Sequence, residues 1–299
     1  MFFPHILVTA AFLLQVALAF ASSNVIKPYI LAHQNSNLNV RSLEDKLRAA
    51  GFEILGSFQP TKGYHTVCFT HKDLKKQASQ AEVPMGAVLR ASLVDNNNGQ
   101  TELSYCSPHY WAYATGLKGG DTTDALAAKL QEALGAQEAF GSAKGMSEKV
   151  LRKYNYAMGM PRLTDLDVLH KFSNQNQAKI AIIQGIQTAK DVEQVYELDL
   201  DTNTRLVGVH FRDDNKGSDA TVLQVADGNS TGPKLGGLYG PYEIFIQKGI
   251  VRAPRGRFRI AIAFPDLSMG TFMKIVAAPG AILDSLKGVA NDAVCASNA

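Results

Sequence analysis

The chain has only three cysteines, Cys68, Cys106 and Cys295, too few and too odd in number for a disulfide scaffold. It lacks the short signatures of common chemistry: there is no G-x-S-x-G elbow, H-E-x-x-H zinc helix, P-loop or dinucleotide fingerprint. Glycines gather between Gly232 and Gly240, but that run leads into strand-forming sequence rather than a helix, so the phosphate-cradling geometry is missing. Net charge is only +3, too weak a basic footprint to imply nucleic acid. With 46% hydrophobic and 19% charged residues the composition is that of a folded protein, not a disordered one.

The N-terminus has its own absence, since residues 1–21 contain no Lys, Arg, Asp or Glu. An apolar run from Ile6 to Phe20, broken only by Thr9 and Gln15, closes on Ala19-Phe20-Ala21. That is the pattern of a secretory signal peptide, although the lack of a basic n-region is atypical. The run is shorter than the roughly 18–20 apolar residues that cross a bilayer as a helix. No cysteine follows the cleavage site, which argues against a lipoprotein anchor, and no later stretch reads as a membrane span. The expectation is export to the periplasm or beyond, a mature chain starting at Ser22, and no stable membrane anchor after cleavage. An oxidising compartment would permit one disulfide.

Two halves then repeat one pattern. In the first, 29–34 reads as a strand, and Ser42 caps a short helix carrying Leu43, Leu47 and Ala50. Strands follow at 52–58, 64–70, 87–94 and 101–106, with a hairpin signal at Asp95–Gly99, and Pro108 opens helical sequence. In the second, a helix at 175–189 precedes strands at 195–200, 206–211, 242–247 and 257–264, and Pro265 opens a last helical region. The predicted fold is α+β, with two similar lobes, each an antiparallel curved sheet of four to five strands with helices on one face. The boundaries are a signal peptide at 1–21, a first domain at 22–138, a helical connector at 139–170 and a second domain at 171–299.

The strand-Pro segment from Glu102 to Ala114, after a Val-rich strand, resembles the uncharacterised bacterial family called domain of unknown function 302. The resemblance spans most of the first half and, more faintly, the second. It implies a TBP-like α+β fold and carries over no reaction.

Among candidate sites, His65-Thr-Val-Cys68 faces Cys106-Ser-Pro-His109, thiols and imidazoles of the kind that hold zinc or copper(I). Strand alternation places His65 with Val67 and Phe69 on the core side and Cys68 on the other. Cys106 falls with Cys68, which favours a disulfide over four ligands. Two strands of separation put them about 9–10 Å apart, however, and a bridge needs about 7 Å. Unpaired thiols, a disulfide and a metal site all stay open here.

Lys248, Arg252, Arg255, Arg257 and Arg259 fall in one acid-free stretch. If 257–264 is a strand with Phe258, Ile260, Ile262 and Phe264 buried, the arginines share the opposite face and suit a carboxylate, sulfate or phosphate. The alternative is a solvated edge hairpin. Met146, Met158, Met160, Met269 and Met273 read as core filler before copper ligands. Asp199-x-Asp201-x-Asn203 mimics a calcium loop but lacks its glycine and glutamate, and reads as a hairpin turn. Tyr105, Tyr110, Trp111 and Tyr113 read as an aromatic core around Pro108. The sequence calls for no cofactor. It points to a binding or interaction module, for a small anionic ligand or a protein partner, before an enzyme, with oligomers left open. The alternatives are a thiol-dependent enzyme using Cys106 and His109, or a metal handler that adds His65.

Overall fold

The computed structural model describes residues 25–96, 98–212, 215–228 and 233–297, with side chains as far as Asn291. The leader assigned to 1–21 and the Cys295 side chain lie outside the described residues.

The first half runs β1 (Tyr29–Ser36), α1 (Val40–Ala49), β2 (Glu53–Thr61), β3 (Tyr64–Thr70), α2 (Lys72–Ala78), a 3₁₀ turn (Pro84–Ala87), β4 (Leu89–Asp95), β5 (Thr101–Cys106), α3 (Pro108–Ala114), α4 (Asp121–Leu134) and β6 (Glu138–Phe140). After a connector with α5 (Glu148–Leu151) come β7 (Leu166–Lys171), α6 (Gln175–Thr188), β8 (Val192–Asp201), β9 (Thr204–Phe211), α7 (Asp219–Ala226), a 3₁₀ turn (Gly236–Tyr239), β10 (Tyr242–Gln247), β11 (Ile250–Pro254), α8 (Gly256–Ala263), α9 (Met269–Phe272), a 3₁₀ turn (Met273–Ile275) and α10 (Ala278–Ser297). The fold is α+β, with two antiparallel sheets ordered β2-β3-β4-β5-β1-β6 and β8-β9-β10-β11-β7. The second order repeats the first, less the sixth strand.

Local chemistry explains most elements. Asn39, not Ser42, is the N-cap of α1, and Ser42 completes a capping box by binding back to the Asn39 amide at 2.9 Å. Leu43 and Leu47 then form its buried stripe. Asp201 to Thr204 is a hairpin turn, as the missing calcium-loop residues imply. The β10–β11 hairpin turns on Lys248 and Gly249, both at positive φ (52° and 79°), which a tight two-residue loop demands.

Three sequence expectations need correction. Residues 257–264 do not form a strand; the fourth long strand of the second sheet is β11, and 256–263 is helical. That helix is buried almost all round, with Phe258, Ile260, Ile262 and Arg259 all inside, so no wet stripe reveals its period. Ser104–Ala112 therefore corresponds to the stretch from Arg252 onward and not to 261–269. A strand, β7, opens the second lobe within what the sequence assigned to the connector.

The third correction concerns faces. Leu89, Ala91 and Leu93 point to the helical layer of the first sheet, yet Arg90 and Ser92 on its other face are buried as well. That face is covered by the second lobe. One apolar cluster runs through both halves, from Val67 and Leu103 to Tyr196, Phe245 and Phe258; a smaller one, with Ile182, Ile244 and Leu286, lies between the second sheet and α6 and α10. The covering is reciprocal, since α7 packs on β2 and α2 on β8.

Candidate functional site

The centre of the molecule is polar and fully buried. Cross-strand neighbours share a face, and the rows Gly56–Cys68–Arg90 and Tyr196–Gly208–Glu243 occupy the same places in the two sheets. Arg90 and Glu243 are therefore equivalent positions, and they meet as an ion pair between the lobes. Trp111 and Arg259 are equivalent too, each four residues past the cap of the helix after the fifth strand. They also meet, with the Arg259 guanidinium 5.2 Å and that of Arg90 5.4 Å from the Trp111 ring centre. Arg259 Nε donates to Glu243 Oε2 at 3.2 Å, and its Nη2 donates to the Tyr239 carbonyl. The carbonyl of Pro241 accepts from both arginines at 3.4 Å. All three charged side chains have no exposed surface. Two guanidiniums thus share one carboxylate, and Arg90 Nε, Arg259 Nη1 and Trp111 Nε1 have no partner among the described residues.

The surrounding hydrogen bonds tie the lobes together. Tyr29, Tyr110 and Tyr154 donate to the carbonyls of Ala263, Ile262 and Ala261, the last turn of α8, at 2.9, 2.9 and 2.7 Å. Burial pushes all three phenols well up, so they stay protonated as donors. The glycine-rich segment docks on the first sheet. Gly237 N donates to Ser92 Oγ at 3.1 Å, and a Cβ at Gly237 would lie 1.8 Å from Thr66 Oγ1. Buried Asp227 holds the same segment by accepting from the Leu235 and Gly236 amides at 3.0 and 3.3 Å. The glycines serve close packing between lobes and not a phosphate.

Cys68 and Cys106 are free thiols on this buried face, either side of Arg90. Burial pushes them up to about 12 and about 11 against the attraction of Arg90, so neither is an activated nucleophile. His109 pairs instead with Asp124, Nε2 to Oδ1 at 2.7 Å, on the α3–α4 surface. His65 lines an open cleft of about 570 Å³ with Arg41 and Asp95 at the start of α1. The four residues are not brought together, and no group of three or more His, Cys, Asp and Glu suited to a metal ion occurs among the described residues. Native protein at pH 8 is expected to leave Cys68 and Cys106 unlabelled by iodoacetamide over an hour, with both labelled in denaturant. Peptide mapping that finds either one modified in the native state overturns this account of the thiols.

The five basic residues scatter. Arg255 lies 3.4 Å from Asp167, Arg257 borders an apolar crevice lined by Tyr156, Met160, Leu267 and Phe272, and Arg259 is in the buried cluster. Lys248 and Arg252 do converge. They line an open cleft of about 440 Å³ between the end of α2, at Ser79 and Glu82, and the two hairpin turns of the second lobe, at Asp201–Thr204 and Gln247–Arg252. Of the methionines read as core filler, Met158, Met269 and Met273 are exposed. The aromatic group fares as expected, with Tyr105, Tyr110, Trp111 and Tyr113 buried.

Sequence reasoning missed the Arg90–Glu243–Arg259 cluster and a second, part-buried pair, His210 Nδ1 with buried Asp219 Oδ2 at 2.6 Å, beside the Phe58 ring. Burial raises the Asp219 carboxyl, and the bond to His210 opposes this. The available signal was a lone charge inside an apolar strand, Arg90 in β4 and Glu243 in β10. No protein-family model matches the chain, and no curated protein matches it.

Proposed function

We propose that this chain is an exported binding module that takes a small, multiply charged anion in the interlobe cleft beneath Lys248 and Arg252. One observation carries the reading. Two cations, one at the β10–β11 turn and one on β11, converge in an open cleft with no ion pair to either among the described residues. An Arg fork can grip a carboxylate or phosphate through two hydrogen bonds, while Lys adds a mobile point charge. Glu82 and Asp201 at the same cleft select against ligands that overrun it with negative charge. Export rests on the Ala19-Phe20-Ala21 site, and is compatible with the finding that no described helix is long and apolar enough to cross a membrane. The likeness to domain of unknown function 302 belongs to the same reading, supported by a single antiparallel sheet with helices in each lobe.

Inorganic phosphate, sulfate and citrate, titrated at constant ionic strength, should raise the melting temperature. Saturation a hundredfold above the dissociation constant corresponds to about 2.7 kcal/mol. Lys248→Asn, which tolerates the positive φ, combined with Arg252→Gln should remove the response. Equal shifts in both proteins would discard the cleft as a site.

A further inference from the structure

The buried interlobe cluster has more hydrogen-bond donors than acceptors. Arg90 Nε, Arg259 Nη1 and Trp111 Nε1 have no partner among the described residues, and none of the three can accept. Two phenol hydroxyls join them without partners, those of Tyr196 and Tyr239. The groups lie close together. The guanidiniums of Arg90 and Arg259 stand 5.4 and 5.2 Å from the Trp111 ring centre, and that of Arg259 is 5.3 Å from the Tyr239 ring. Tyr196 shares a cross-strand row with Gly208 and Glu243, and its ring covers Gly208, where a Cβ would lie 2.2 Å from it. Among the same unpartnered atoms the one that must accept, Asp219 Oδ1, sits on the carboxylate that His210 already binds.

Charge is unbalanced in the same direction. Arg90 and Arg259 are permanently cationic and Glu243 alone answers them, so the cluster carries one surplus positive charge with no exposed surface. The Cys68 and Cys106 thiols on either side of Arg90 stay protonated and add no charge. Burying an unpaired charge is far costlier than burying a paired one. A water molecule could accept from these donors, but it brings two donors of its own and no charge. The occupant that answers both surpluses is acceptor-only and monoanionic. It is also about the size of a water molecule, because the interior is close-packed and Trp111, Tyr196 and Tyr239 are at most 2% exposed. We infer that a single halide ion, chloride in ordinary solution, is held between Arg90, Arg259 and Trp111 in the interlobe core. Arg90 and Trp111 come from the first lobe and Arg259 from the second, so the ion ties the lobes together and its binding is read as stability. This site shares no residue with the cleft at Lys248 and Arg252.

Trp111 is the sole tryptophan of the chain, so its emission reports this site alone. Bromide quenches an indole as a heavy atom in contact with it. Added to the full chain at constant ionic strength against gluconate, which is too large to enter, it should quench with a saturating dependence that chloride reverses. Chloride itself should raise the melting temperature by roughly 3 °C for each tenfold increase above its dissociation constant. Both effects should be lost in Arg90→Met with Glu243→Leu and Arg259→Met, which removes the surplus charge and keeps the tryptophan. Lys248→Asn with Arg252→Gln should leave the quench as it is. A quench that is absent, linear or indifferent to chloride would overturn the inference and assign the donors to water. So would equal melting shifts in the wild type and the triple variant, or loss of the quench in the Lys248 and Arg252 variant. Should the triple variant fail to fold, crystals grown in bromide decide. An anomalous peak beside Trp111 Nε1 and the two guanidiniums supports the ion, and water density there overturns it.

Discussion

Glu243→Gln is expected to destabilise the fold by about 3–5 kcal/mol, the usual cost of breaking a buried ion pair from one side. Glu243 is the carboxylate that both buried guanidiniums bind, and an arginine cannot relieve itself by losing a proton. Once it is neutral, its one amide oxygen can accept from only one guanidinium and its NH2 opposes the other, leaving Arg90 and Arg259 as two uncompensated like charges beside Trp111. Urea unfolding measures the loss, and a change below about 1 kcal/mol would show that the cluster is not electrostatically coupled in this way. A triple variant, Arg90→Met with Glu243→Leu and Arg259→Met, should cost less than the single change. It removes the desolvated charges together and leaves apolar side chains of similar reach.

Gly56→Ala should destabilise by about 2–3 kcal/mol through crowding that the backbone must absorb. A Cβ at Gly56 would sit 2.2 Å from the Val195 carbonyl oxygen, on the edge where β2 of one lobe meets β8 of the other. No rotamer change relieves a clash with a carbonyl, so the two sheets have to separate locally. Gly280→Ala in α10 is the matched control. Nothing lies within 4 Å of its added Cβ, and alanine is the better helix former, so it should be neutral or stabilising by up to about 1 kcal/mol. Equal urea midpoints for the two variants would mean that the lobes do not rely on this contact.

The strands of the first sheet were legible because their turns are explicit. The hairpin signal at Asp95–Gly99 and the helix start at Pro108 bracket β4 and β5 whatever the strands pack against. The hairpin Asp201–Thr204 and strand β10 were legible for the same reason, and so was the α+β class. The candidate site was legible only in part. The acid-free stretch did contain the two cations of the cleft, Lys248 and Arg252, but the alternation of Arg257, Phe258, Arg259 and Ile260 imitated a strand. Alternation and helical period both report which faces are wet, and α8 has almost no wet face to report.

Residues close in sequence thus determined by themselves the α+β class, the strands β2 to β5 with their turns, the hairpin at Asp201–Thr204 and strand β10. Only the tertiary structure decided that both faces of the first sheet are covered, that Cys68 and Cys106 are buried, and that Arg90 meets Glu243, 153 residues away in sequence. The reason is that local propensity and periodicity act over a few residues, whereas the partner of a buried charge is set by how two finished sheets dock. Until they dock, Arg90 in β4 and Glu243 in β10 are each a lone charge in an apolar strand, with nothing nearby in sequence to say that one satisfies the other.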